Sequence, residues 1–92
     1  MVTKAVVFEK LDRFPRACRG FEPKGIRLTQ ATNYGLDKEE WRIWIVGPGS
    51  VDETLNTATD TLIIKNYHSL DRAMKDLAKF RKWFAEWQNE NS

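Results

Sequence analysis

Between Ile26 and Gln30 apolar and polar side chains take turns, Ile26 and Leu28 against Arg27 and Thr29, and this period of two predicts a half-buried strand over residues 25 to 32. The same period recurs more strongly in EWRIWIVG, where Trp41, Ile43 and Ile45 share one face and Arg42, Trp44 and Val46 the other. Gly47, Pro48 and Gly49 end that run by loosening the backbone and removing a hydrogen-bond donor, so a turn is expected there. DTLIIK, from Asp60 to Lys65, reads as a further strand, and the polar, threonine-rich stretch from Ser50 to Thr59 fits either an extended loop or a short helical turn. Asn33 to Glu40 is a polar connection.

Residues 2 to 9 are rich in β-branched and aromatic types, with Val2, Val6, Val7 and Phe8, and by that propensity they are expected to form the first of four strands. Pro15, with Gly20 five residues later, suits one short helical turn, and the rest of residues 10 to 24 reads as loop. From Ser69 to about Gln88 the period changes to that of a helix. Leu70, Ala73, Met74, Leu77, Phe80, Phe84 and Trp87 fall in one stripe, with Ser69 as N-cap and Asp71 in the positive first turn. Arg72, Lys75, Lys79 and Lys82 fall on the opposite side, Arg81 lies within the stripe with its stem over the core edge, and the tail NENS is expected to fray. The expected architecture is α+β: an antiparallel sheet of about four strands packed against one long C-terminal helix, with a short helical turn after the first strand.

Composition bounds this picture. A chain of 92 residues is the size of one small domain, spanning 1 to 92. No charge-free stretch exceeds nine residues, well short of the ~20 apolar residues of a membrane-spanning helix, and the start MVTKAVVFEK lacks the pattern of a signal peptide. A cytoplasmic protein with no membrane partner is therefore expected. One cysteine, Cys18, and one histidine, His68, can supply neither an internal disulfide nor a four-ligand Cys/His zinc site, so no metal and no cofactor are expected. His68 sits beside Ser69 at a junction, a poor arrangement for a nucleophile and its base. The acidic pairs, Asp37 with Glu39 and Glu40, and Asp52 with Glu53, read as solvated groups in or beside loops. GPGS lacks the lysine of a phosphate-binding loop. Neither an enzyme nor a small-molecule substrate is expected.

The formal net charge of +2 gains meaning only when it is divided along the chain. Residues 10 to 27 carry Lys10, Arg13, Arg16, Arg19, Lys24 and Arg27 against only Asp12 and Glu22, a local excess of +4. Arg13, Arg16 and Arg19 recur every three residues, and guanidinium forks suit phosphate oxygens. The alternative is a solubilising surface loop. Phe14 and Phe21 in the same segment read as plugs into the core. The candidate partner-binding or nucleic-acid-binding residues are Arg13, Arg16, Arg19, Lys24 and Arg27, together with Tyr34 and Trp44, whose rings could anchor a protein partner. Trp44 is singled out because both faces of its strand are partly apolar and the single long helix can cover only one, unless residues 10 to 24 fold back over the other. The helix ridge is read as a solvated face, so binding is expected to depend on the basic segment rather than on that ridge.

The stretch RFPRACRGFEPKGIRLTQATNYG, taken with the total length, resembles a phage-encoded anti-CRISPR protein directed at the type I-F surveillance complex. These inhibitors share no common motif, so the candidate residues are drawn from this chain alone. The resemblance implies a non-catalytic inhibitor in the bacterial host cytoplasm. It would dock on the Cas protein backbone and guide RNA of the complex and block hybridisation with target DNA. The other reading is a free-standing phage or plasmid nucleic-acid-binding protein, although the chain has no aromatic RNP1-like strand and no clear helix-turn-helix.

Overall fold

The computed structural model describes residues 1–32, 39–48 and 61–92. Five elements follow one another: α1 (Lys4–Ala17), β1 (Gly25–Thr32), β2 (Glu39–Val46), β3 (Thr61–Tyr67) and α2 (Leu70–Glu90). The three strands form one antiparallel sheet in the order β1-β2-β3, a meander with β2 in the centre. The α+β class holds, with three strands among the described residues and two helices rather than one. The expectations for residues 33–38 and 49–60, Tyr34 and the acids Asp37, Asp52 and Glu53 included, lie outside the described residues.

The largest departure from the sequence reading is at the N-terminus. Residues 4 to 17 form a helix, not a strand followed by a loop and a single turn. Local β propensity at Val6, Val7 and Phe8 is outweighed by a longer pattern. Val7, Leu11 and Phe14, spaced by four and three, line up on one helical face, and all are fully buried with Cys18 one turn further on. A fully buried Val, Leu or Phe side chain contributes about 1.5 to 3 kcal/mol, more than the fraction of a kcal/mol that separates valine from better helix formers. Thr3 caps the start, its Oγ1 accepting from the Val6 N–H at 3.3 Å. Pro15 belongs to the last turn, not the first, and the helix stops two residues beyond it. Arg19 (φ 57°) and Gly20 (φ 83°) then take left-handed conformations that turn the chain back, and the Gly20 N–H donates to the Pro15 carbonyl at 2.6 Å.

Both helices pack on the same face of the sheet, α2 chiefly over β1 and α1 against α2 and β3. That face carries Ile26 on β1, Ile43 and Ile45 on β2 and Ile64 and Tyr67 on β3, all buried in one cluster with the helix residues. Trp41 packs against the cluster, as its strand face predicts. In β3 the register slips opposite Ile43 and Trp44, which pair with Lys65 and Ile63, leaving Ile64 as a bulge residue. The extra residue lets both Ile64 and Tyr67 reach the core despite their odd spacing.

The N-cap expected at Ser69 is present, its side chain accepting from the Arg72 N–H. Of the expected stripe on α2, Ala73, Leu77, Phe80, Phe84 and Trp87 are buried, whereas Leu70 (43%) and Met74 (53%) are exposed. The tail stays helical to Glu90, because the Asn91 side chain donates to the Trp87 carbonyl at 2.8 Å. Polar contacts pin the two helices together: the Trp87 indole donates to Asp12 Oδ1 at 2.9 Å, and Lys4 pairs with Glu86 at 2.7 Å. Phe14 is a core plug as expected, but Phe21 is 40% exposed and is not.

Two predictions follow from this packing. Leu11→Ala, in a segment whose sequence suggests a loop, should cost about 2 to 5 kcal/mol and lower the melting temperature by roughly 4 to 8 °C per kcal/mol; an unmoved melting curve would show that α1 is not core. The second concerns Tyr67, whose hydroxyl donates to Asp76 Oδ2 at 2.6 Å and so ties β3 to α2. Burial, then the bond to the Asp76 carboxylate, raises its pKa far above the ordinary phenol value. The fold holds the neutral phenol, so this contribution is intact below the unfolded pKa of about 10 and is lost as pH rises beyond it. Thermal melts above about pH 10 should therefore fall more steeply for the natural chain than for Tyr67→Phe, and parallel slopes would refute the linkage.

Candidate binding face

The strand period that sends Ile43 and Ile45 to the helices sends Glu40, Arg42, Trp44 and Val46 to the other face of β2. Pairing adds Arg27 directly opposite Trp44 on β1, Thr29 opposite Arg42, and Ile63 opposite Trp44 on β3. Neither helix packs on this face. Trp44 and Ile63 lie outside the core cluster, Trp44 half-buried and Ile63 exposed at 36%. The helical part of residues 10 to 24 does not fold back over Trp44, because it packs on the opposite side of the sheet.

The indole of Trp44 is held in place. Its N–H donates to Thr29 Oγ1 at 2.8 Å, diagonally across the strand pair, which fixes the ring against β1 beside Arg27. Arg42 Nη2 approaches Glu40 Oε2 at 3.4 Å on the same strand face. Glu40 is thus a half-buried strand residue, not the solvated loop acid that its sequence position suggests. Arg42 Nε is buried with no hydrogen-bond partner among the described residues. The result is one tryptophan with arginines on two sides and an isoleucine on a third; tryptophan and arginine are side-chain types that dominate binding hot spots.

At the end of the sheet this face runs into a cavity of about 510 Å³ that brings Lys24, Arg27 and Arg81 together with Val46, Gly47 and Pro48. Arg81 reaches it from α2, donating through Nε (3.2 Å) and Nη2 (3.1 Å) to the Ile26 carbonyl. Its stem does cross the core edge, but its charge is anchored on β1. Arg81 is not among the candidates that the sequence offers, and its place inside an apolar helix stripe is the signal that marks it. Residues 18 to 24 cross this end of the sheet: Cys18 Sγ lies 3.8 Å from the Thr61 carbonyl of β3, and the Lys24 N–H donates to the Val46 carbonyl of β2 at 2.7 Å.

The structure therefore gathers three of the sequence candidates, Lys24, Arg27 and Trp44, at one site. Arg13 and Arg16 stay on the exposed side of α1, away from it, and Arg19 sits exposed in the turn that follows, so the three arginines do not form one row. Tyr34 lies outside the described residues. His68 is exposed at the β3–α2 junction. Among the described residues there is no cluster of three or more His, Cys, Asp or Glu able to hold a metal ion, and no helix is long and apolar enough to cross a membrane. No protein-family model, no curated protein and no solved structure matches this chain, so the function must be argued from the geometry of the face itself.

Proposed function

We propose that this chain is a non-catalytic binding protein that acts by docking the sheet face opposite α1 and α2 on a protein–RNA partner. The observation that carries this reading is the Arg27–Trp44 cross-strand pair, with the indole locked by Thr29 and Ile63 beside it. A ring already fixed by a hydrogen bond loses little rotamer freedom on binding, which favours affinity. The neighbouring Lys24 and Arg81 add positive charge at the rim, where it steers encounter with an acidic groove or RNA phosphates.

The resemblance noted for residues 13 to 35 gives the partner its identity in this proposal. The chain is a type I-F anti-CRISPR that seats this face on the Cas proteins and guide RNA of the surveillance complex in the bacterial cytoplasm, so that target DNA can no longer pair. A basic surface with an aromatic anchor fits contact with RNA and protein better than it fits imitation of DNA, which requires an acidic one.

The test is capture of a type I-F complex by the natural chain, Trp44→Ala and Arg27→Glu, with target-DNA binding read in parallel. Hot-spot behaviour means that each variant weakens capture by at least ~2 kcal/mol, about thirtyfold, while its circular dichroism stays native. Capture that fails for the natural chain removes this partner. If that chain instead binds plain RNA or DNA with a steep salt dependence, the free-standing nucleic-acid reading takes over.

A further inference from the structure

A second concentration of charge lies at the other end of the sheet, where Tyr67 pairs with Trp41. A cavity of about 510 Å³ opens there between β3 and the first turns of α2, lined by Lys65, Arg72, Lys75 and Lys79, with Asp76 the single acid. Three of these cations come from the helix ridge that the sequence suggests is mere solvated surface. Asp76 cannot neutralise them all, and its Oδ2 already accepts the Tyr67 hydroxyl at 2.6 Å. The two ion pairs among the described residues, Lys4 with Glu86 and Arg42 with Glu40, both lie elsewhere. Lys65 instead lies 5.1 Å from the Tyr67 ring centre and Lys79 5.9 Å from that of Trp83, contacts that orient the ammonium groups, and neither forms an ion pair with an acid among the described residues.

We infer that this cavity is a phosphate-binding site, distinct from the sheet face and recognising phosphate groups esterified to a larger ligand. Four cations against one acid leave a local excess of +3 around one concavity. Concave walls of one sign focus the field and concentrate counter-ions within them. Arg72 supplies a planar fork for paired oxygens, and the lysines supply point charges. The volume exceeds what a bare phosphate fills and lies in the range of small-ligand sites, which points to a nucleotide or a short length of nucleic-acid backbone. Both sources offer the same chemistry.

Fluorescence anisotropy with a labelled oligothymidine of about eight nucleotides tests the site, using the full chain at roughly 50 and 200 mM salt. Lys75→Glu with Lys79→Glu should weaken binding about tenfold or more and flatten the salt slope by about 1.4, as expected when two phosphate contacts to a single strand are lost. Arg13→Glu with Arg16→Glu changes net charge equally and should weaken binding less than about threefold. A larger loss of oligothymidine binding for Trp44→Ala than for the lysine pair would move the probe to the docking face and overturn the site. Displacement of the probe by thymidine monophosphate assigns the site to nucleotides; displacement only by unlabelled oligomer assigns it to backbone. Equal losses for the two double variants would reduce the effect to net charge and overturn the site, as would failure of the natural chain to bind either probe. Should the glutamate pair unfold the chain, Lys75→Gln with Lys79→Gln carries the same comparison.

Discussion

The burial of Ile43 and Ile45 is the constraint from which the rest of the structure follows. Both are fully buried on the central strand, with α1 and α2 over the same face. Because strand side chains alternate, committing these two to the core commits Arg42 and Trp44 to the other face, and a slip of one residue would exchange the two sets. The candidate binding face is therefore a geometric consequence of the core. No separate element has to build it: register alone sets Arg27 against Trp44 and Thr29 within reach of the indole N–H.

A three-stranded sheet with one helix is a small core, and α1 supplies what is lacking. Val7, Leu11, Phe14 and Cys18 fill the space beside α2, and the Trp87–Asp12 hydrogen bond sets the two helices relative to each other. The exposed Lys4–Glu86 pair adds little by comparison, since solvent screens such contacts. With both helices on one side, neither α1 nor α2 covers the opposite face of the sheet. The same packing draws the chain after α1 across the sheet end and brings Lys24 to β2.

Charge in this protein is organised by position more than by amount. The formal total is only +2, yet basic side chains converge on two cavities at opposite ends of the sheet. One group joins the face that carries Trp44; the other faces the start of α2. A partner that engages both must reach around the molecule, and one that engages a single end would sense a field much stronger than the total implies.

The sequence by itself determined β1, β2 and most of β3, the long helix with its Ser69 cap, and the division of β2 into two faces. These depend on local periodicity and capping chemistry, which are written in adjacent residues. It also placed Arg27 and Trp44 among the candidate binding residues, though not as cross-strand neighbours. Tertiary structure decided the rest. Residues 4 to 17 carry both a β-rich composition and a helical spacing of Val7, Leu11 and Phe14, and only the presence of α2 to pack against selects the second. The even spacing of Arg13, Arg16 and Arg19 suggested a single row, but the left-handed turn at Arg19 takes the last of them off the helix. Arg72, Lys75 and Lys79 read as an ordinary solvated ridge, because nothing in a linear sequence says that the start of α2 and the end of β3, with Lys65, enclose a common space. Arg81 reaches the Ile26 carbonyl across 55 positions of sequence, a contact set by how α2 lies over β1 and by nothing local to either.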